Sequence, residues 1–211
     1  MRKWLGNLLL KLTGWKACGN FPPPQQCVMI TAPHTTNWDF VYMIMIQMAK
    51  GFSVRWMGKK SLFRWPFGGF MRWMGGISID RSKHNDVVSQ MADAFKQHPN
   101  LILAVPAEGT RKYVDYWKSG FYFIAQKANV PICLSFLDYT KKEGGIGPCI
   151  TPSDDITQGM DQIRAFYKDI KGKYPENFGR IRLSIEDHPT TPNSPPNNLD
   201  TAPPQPSNLL K

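Results

Sequence analysis

The chain has 211 residues, 42% of them hydrophobic, with four cysteines and a formal net charge of +10. That length supports one domain with a full core, whereas the longest strongly apolar run, Phe40 to Ala49, is about half of the ~20 residues a spanning helix needs, so a membrane-crossing chain is not expected. The cysteines show neither metal-ligand spacing nor a regular framework and read as reduced thiols of a cytosolic protein, and an N-terminus in which Lys11 interrupts Leu8 to Leu10 does not read as a secretion signal.

Taken in chain order, residues 2 to 15 place Trp4, Leu5, Leu8, Leu9 and Leu12 at helical spacing, which predicts an amphipathic helix that either lies in a membrane interface or packs on the domain. Cys27 to Ala32 reads as a short buried strand. Pro33 delays the next helix, and Thr35, Thr36 or Asn37 is expected to cap a helix over Trp38 to Ala49. Further strands are expected at Ser53 to Met57, Gly76 to Ile79, Leu101 to Val105, Ile132 to Leu137 and Arg180 to Ile185, with amphipathic helices over Asn85 to Gln97 and around Met160 to Ile170. The alternation indicates an α/β fold: one domain with a mostly parallel or mixed central sheet flanked by helices. The expected organisation is a membrane-associating helical segment over residues 1–20, the domain over 21–188, and a disordered tail over 189–211, where proline and asparagine leave little to build a core.

Charge is unevenly distributed. Residues 1 to 83 hold twelve of the 26 basic residues but only two of the 16 acids, Asp39 and Asp80. Within them, Phe52 to Met74 interleaves Trp56, Phe63, Trp65, Phe67, Phe70 and Trp73 with Arg55, Lys59, Lys60, Arg64 and Arg72, and contains no acid. Such a mixture suits an anionic phospholipid interface and acyl-chain contact. It would also suit single-stranded nucleic acid, or a core helix with a solvated basic face.

The candidate chemistry lies where strands end. His34 precedes Asp39 by five positions, Asp80 and Arg81 follow Gly76 to Ile79, and Glu108-Gly109-Thr110-Arg111 follows Leu101 to Val105. In open α/β sheets ligands bind outside the carboxyl ends of strands, so these segments are expected to share a cleft. On one continuous helix, positions five apart face about 140° away from each other. His34 and Asp39 therefore meet only if the histidine sits in the loop and the aspartate in the first helical turn. No further histidine stands at ligand spacing, so neither a metal nor a cofactor is expected.

Four blocks now resemble the 1-acylglycerol-3-phosphate acyltransferase superfamily of lysophospholipid acyltransferases: His34 with Asp39 as an H-x4-D block, Lys60 through Pro66-Phe67-Gly68 to Asp80-Arg81, the Glu108 to Arg111 E-G-T-R block, and Val130-Pro131-Ile132. The resemblance implies transfer of a fatty acyl group from acyl-CoA or acyl-carrier-protein to the hydroxyl of a lysophospholipid. It implies His34 as general base, Asp39 as its orienting carboxylate, and an acceptor phosphate held by Arg111, Arg81 and Lys60 within the Glu108, Gly109, Thr110, Arg111 block. Glu108 is expected to orient Arg111 or the acceptor hydroxyl. The partners would be an anionic membrane surface, an acyl thioester and the lysophospholipid, with the protein peripheral or monotopic on the cytoplasmic face and no nucleic acid bound. The competing readings are a different acceptor, such as a lyso-aminolipid, or a module that binds lipid or nucleic acid without catalysis.

Overall fold

Residues 27–31 fold into the middle of a seven-stranded sheet because almost every side chain there is apolar. A strand covered on both faces reads as a continuous hydrophobic run rather than as an alternation. The computed structural model describes residues 2–79 and 84–187. The elements are α1 (Arg2–Thr13), β1 (Lys16–Gly19), β2 (Cys27–Thr31), α2 (Trp38–Lys50), β3 (Arg55–Lys59), a 3-10 turn (Lys60–Phe63), α3 (Gly68–Trp73), β4 (Gly76–Ile79), α4 (His84–Gln97), β5 (Ile102–Val105), α5 (Gly120–Ala128), β6 (Ile132–Asp138), β7 (Glu143–Ile150), α6 (Ile156–Tyr167) and a short α7 (Ser184–Asp187). Strand order is β1-β7-β6-β2-β5-β3-β4. Only the β6–β7 pair is antiparallel. The mixed α/β sheet is the predicted class.

The period-two alternation of a strand divides β2 between two cores. Val28 and Ile30 point to a layer with Met91 and Phe95 of α4, Phe121 and Ile124 of α5, and Met160 and Ile163 of α6. Cys27 and Met29 point to the opposite face, beside Ala104 and Ile146, on the side where α2 contributes Ile46 and Ala49 and α1 contributes Leu10. The cavity described below lies on the α2 side.

Helix α1 lies on α2 through Gly6 and Leu10, its buried residues. A side chain at Gly6 would collide with the α2 backbone at Met48 and Ala49, so the close crossing requires glycine there. The predicted apolar face is thus divided: Leu8 and Leu9 are half-buried, while Trp4 and Leu12 remain 69% and 74% exposed. Among the described residues no helix is long and apolar enough to cross a bilayer.

Several expectations require correction. Residues 16–19 are not part of a separate N-terminal segment, because β1 pairs in parallel with β7 and the sheet therefore begins before residue 21. Strand β7 escapes a periodicity reading because Gly144, Gly145, Gly147 and Pro148 give it little strand propensity. It forms because those glycines permit close contacts, and a Cβ at Gly145 would strike the Cys18 carbonyl of β1. Pro148 lies past the β1 register, which ends at Ile146, so its missing N–H breaks no ladder on that edge. Arg180 to Ile185 is not a strand: Leu183 makes a single bridge to Trp117, and α7 begins at Ser184. The alternation there reflects one buried leucine, held by the Leu183 N–H donating to Glu186. The Ser53 to Met57 strand is displaced by two residues, to Arg55–Lys59, which preserves its facing. The cysteines are not all reduced, because the β6–β7 register sets Cys133 opposite Cys149 and the two are bonded. Cys18 and Cys27 are free, and burial pushes the Cys27 thiol up to about 12. The expected tail lies outside the described residues.

Candidate active site

The H-x4-D segment folds around its own aspartate. Asp39 stands in the first turn of α2, where the positive end of the helix favours an anion. Its Oδ2 accepts hydrogen bonds from the backbone N–H of Thr35 and of Thr36, each at 3.0 Å. Those bonds turn the preceding loop back over the helix and bring His34 Nδ1 to 3.1 Å from the same oxygen. A carboxylate only accepts, so Nδ1 carries the hydrogen and Nε2 keeps the lone pair. The expected geometry, histidine in the loop and aspartate in the helix, is present. Of the three expected caps, Asn37 makes no side-chain cap bond, and Thr36 Oγ1 accepts the Trp38 N–H at 3.4 Å.

Two residues from elsewhere complete the pair's surroundings. Glu108, after β5, is buried, and its Oε2 accepts the His34 backbone N–H at 2.8 Å. Tyr139, after β6, donates its hydroxyl to Asp39 Oδ1 at 2.6 Å. Burial raises the Glu108 carboxyl to about 7, with the Asp39 charge adding to the rise and the His34 N–H opposing it. Glu108 does not hold Arg111: among the described residues its Oε1 has no hydrogen-bond partner. The E-G-T-R block is a tight turn in which Gly109, at φ +68°, donates its N–H to the Pro106 carbonyl at 3.0 Å, and a left-handed φ favours glycine there. Thr110 Oγ1 accepts the Lys112 N–H at 3.3 Å. The turn leaves Arg111 exposed and on the cavity wall.

The cavity occupies about 440 Å³ on the α2 side of the sheet. His34, Asn37, Asp39 and Arg111 supply its charged and amide groups, while Phe40, Met43 and Ile46 of α2, Met71 and Met74 at α3, and Met29, Ala104 and Ile146 of the sheet supply apolar wall. Flexible, polarisable methionines suit a wall that adapts to a chain-like apolar ligand. A base, its carboxylate and one cation on the wall of such a cavity can activate a hydroxyl and hold an anion while an apolar chain is sequestered from water.

The other expected site residues divide into groups. Trp56 lines the cavity and donates its indole N–H to the Met74 carbonyl at 3.1 Å. Phe63 is buried behind Trp56, with ring centroids 6.0 Å apart, and does not line the cavity. Trp65, Phe67, Phe70 and Trp73 project outward, and Trp65 is 93% exposed. Lys60 is exposed at the end of β3 and does not line the cavity. Asp80 and Arg81 lie outside the described residues. Sequence reasoning missed Tyr139 and the methionine wall. A lone tyrosine in a turn carries no motif, and the methionines, with Met57 among them, come from four separate stretches of chain.

The fold resembles that of a crystal structure titled as the 1-acyl-sn-glycerophosphate (LPA) acyltransferase PlsC from Thermotoga maritima, with a TM-score of 0.51, 13% identity, and coverage of 81% of this chain and 80% of that one. In sequence, the chain is 31% identical over 140 residues to the 1-acyl-sn-glycerol-3-phosphate acyltransferase of Haemophilus influenzae, covering 62% of this chain and 56% of the relative. It is likewise 31% identical over 149 residues to the Escherichia coli protein of the same name, covering 63% and 59%. The chain thus spans under two thirds of either relative's length. The Acyltransferase family model matches residues 19–133, a stretch that contains His34, Asp39 and Glu108 to Arg111, and the chain belongs to that family.

Proposed function

We propose that the protein transfers a fatty acyl group from an acyl-CoA or acyl-carrier-protein thioester to the hydroxyl of a phosphate-bearing lysophospholipid, such as 1-acylglycerol-3-phosphate, at a membrane surface. The observation that carries this reading is the His34–Asp39 pair on the wall of a mostly apolar cavity that also bears Arg111. The acceptor hydroxyl attacks the thioester carbonyl as His34 Nε2 takes its proton, a contribution of about 10² to 10⁴-fold for a positioned base. The new C–O bond forms, the C–S bond breaks, and the imidazolium returns the proton to the departing thiolate. Asp39 stabilises the imidazolium meanwhile. Arg111 meets the acceptor phosphate and the cavity takes the acyl chain. Such donors are made in the cytoplasm, so the enzyme works from the cytoplasmic face.

A series of thioesters tests this. Burying a CH₂ is worth about 0.8 kcal/mol, so each added carbon should raise affinity about fourfold until the cavity is full, after which the gain stops. Ala104, on the cavity wall, is the position at which to shorten the cavity: Ala104→Phe should bring the plateau to shorter chains. Affinity independent of chain length in both proteins would oppose an acyl role for the cavity.

The membrane contact rests on α3 and the turn before it, with Met71 and Met74 on the cavity side and Phe70 and Trp73 on the outside, stacked at 5.9 Å. With Trp65, Phe67 and the cations Arg64 and Arg72, the exterior of this segment suits an anionic bilayer, each cation near the surface contributing about 1 kcal/mol. Changing Trp65, Phe67, Phe70 and Trp73 together to serine should abolish co-sedimentation with anionic vesicles at low salt, while leaving transfer to detergent-dispersed acceptor. Unaltered co-sedimentation would leave α1, with its exposed Trp4 and Leu12, as the contact instead.

A further inference from the structure

Of the four hydrogen bonds that Asp39 accepts, three come from its own loop and one from Tyr139, a hundred residues away in sequence. We propose that Tyr139 is a positioning residue for the His34–Asp39 pair, its hydroxyl fixing the plane of the carboxylate that orients the base. The inference rests on the proposed function for its kinetic consequences, and it concerns a residue beyond the segment that matches the family model.

The geometry carries the argument. Asp39 is buried, so without Tyr139 its Oδ1 would have no hydrogen-bond donor among the described residues, and a buried unpaired acceptor is costly enough to favour rotation of the carboxyl group. Rotation would loosen the 3.1 Å contact to His34 Nδ1, because both oxygens belong to one rigid plane. Tyr139 is itself held from several directions. Its backbone N–H donates to the Lys171 carbonyl at 2.9 Å. The preceding Asp138 closes the turn by accepting the Thr140 and Lys141 N–H groups at 2.9 and 3.2 Å. The Tyr139 ring meets Trp15 edge-on at 4.9 Å and Tyr42 at 5.9 Å, and Trp15 stacks on Tyr42 at 4.1 Å. Trp15, the second residue past α1, thus braces the ring whose hydroxyl reaches the aspartate. Burial and the neighbouring Asp39 charge both raise the phenol above its ordinary value, which keeps it a donor.

Tyr139→Phe removes the hydroxyl and keeps the ring contacts. A hydrogen bond to a charged group sets the scale: kcat should fall about ten- to a hundredfold, with both KM values nearly unchanged and the melting temperature lowered by only a few degrees. If the tyrosine acts through the carboxylate, the same change in an Asp39→Ala background, where position 39 offers its hydroxyl no side-chain partner, should cost less than about twofold in kcat per folded molecule, because residues acting as one unit are not additive. A role in packing alone would lower stability and leave kcat per folded molecule intact. The second measurement needs no turnover: the downfield proton resonance of His34 Nδ1–H should move in Tyr139→Phe. A kcat within twofold of the unsubstituted protein, or a loss that persists in the Asp39→Ala background, overturns the inference. A protein that transfers no acyl group overturns the proposed function instead, and the imidazole proton then decides: movement sustains the coupling, and an unmoved signal refutes it.

Discussion

Replacing His34 by alanine is expected to lower acyl transfer by at least ~10²-fold while the protein remains folded, because the side chain lost is the base of the proposed mechanism. The fold should survive. The His34 side chain is 23% exposed, and the bond from its backbone N–H to Glu108 does not depend on the imidazole. Asp39→Asn should be nearly as severe for a different reason. An asparagine oxygen in the place of Oδ2 can still accept from Thr35, Thr36 and His34, and the Tyr139 hydroxyl can turn to accept from the amide, so the loop keeps its shape. The missing quantity is the charge that stabilises the imidazolium. Asp39→Ala would leave buried N–H groups unpaired and should destabilise the protein as well. Initial rates beside melting temperatures distinguish the two kinds of loss, and near-normal turnover by folded His34→Ala would remove this histidine from the mechanism.

Arg111→Ala is expected to raise the acceptor's KM about ten- to a hundredfold, the equivalent of one lost charge-assisted contact of roughly 1.5 to 3 kcal/mol, with a smaller change in the donor's KM. Because Arg111 is exposed and makes no ion pair with another described residue, its removal leaves no uncompensated charge and should hardly affect stability. Arg111→Lys should recover only part of the affinity, since an ammonium lacks the planar fork that engages two phosphate oxygens. Measuring KM for donor and acceptor separately is the check. A donor KM that rises while the acceptor's stays constant would assign the guanidinium to the thioester side.

What was legible in the sequence was local. His34 to Asp39 is both a motif and the strand-to-helix connection that shapes it, so reading one also read the other. The same is true of Glu108 to Arg111, where a glycine at positive φ makes the turn that leaves Arg111 at the cavity. Those two blocks fixed the expectation of a shared site, and the parallel pairing of β2 with β5 brings them together. The long-range features were not legible. Of the two roles expected for Glu108, orienting Arg111 or the acceptor hydroxyl, the first does not hold: it accepts the His34 backbone N–H, and only the register of the two strands determines that. Strand β7 has the composition of a loop and becomes a strand because β1 and β6 offer partners on both sides. Cys133 and Cys149 become neighbours through that same strand, and Tyr139 gains its meaning only when the β6–β7 turn is folded onto α2. In each case the deciding contact joins segments far apart in the chain, which neither periodicity nor a local motif can pair.

The central claim is that the His34–Asp39 pair moves an acyl group from sulfur to a lipid hydroxyl, and mass spectrometry of the lipid products tests it most directly. Purified protein would be incubated with an isotopically labelled acyl thioester and a mixture of lysophospholipids in anionic vesicles, with released thiol measured in parallel. The expected result is a diacyl product carrying the label, formed from a phosphate-bearing lyso-acceptor one-for-one with thiol and absent with His34→Ala. Thiol release without any acylated lipid, or labelled lipid formed equally well by His34→Ala, would contradict it.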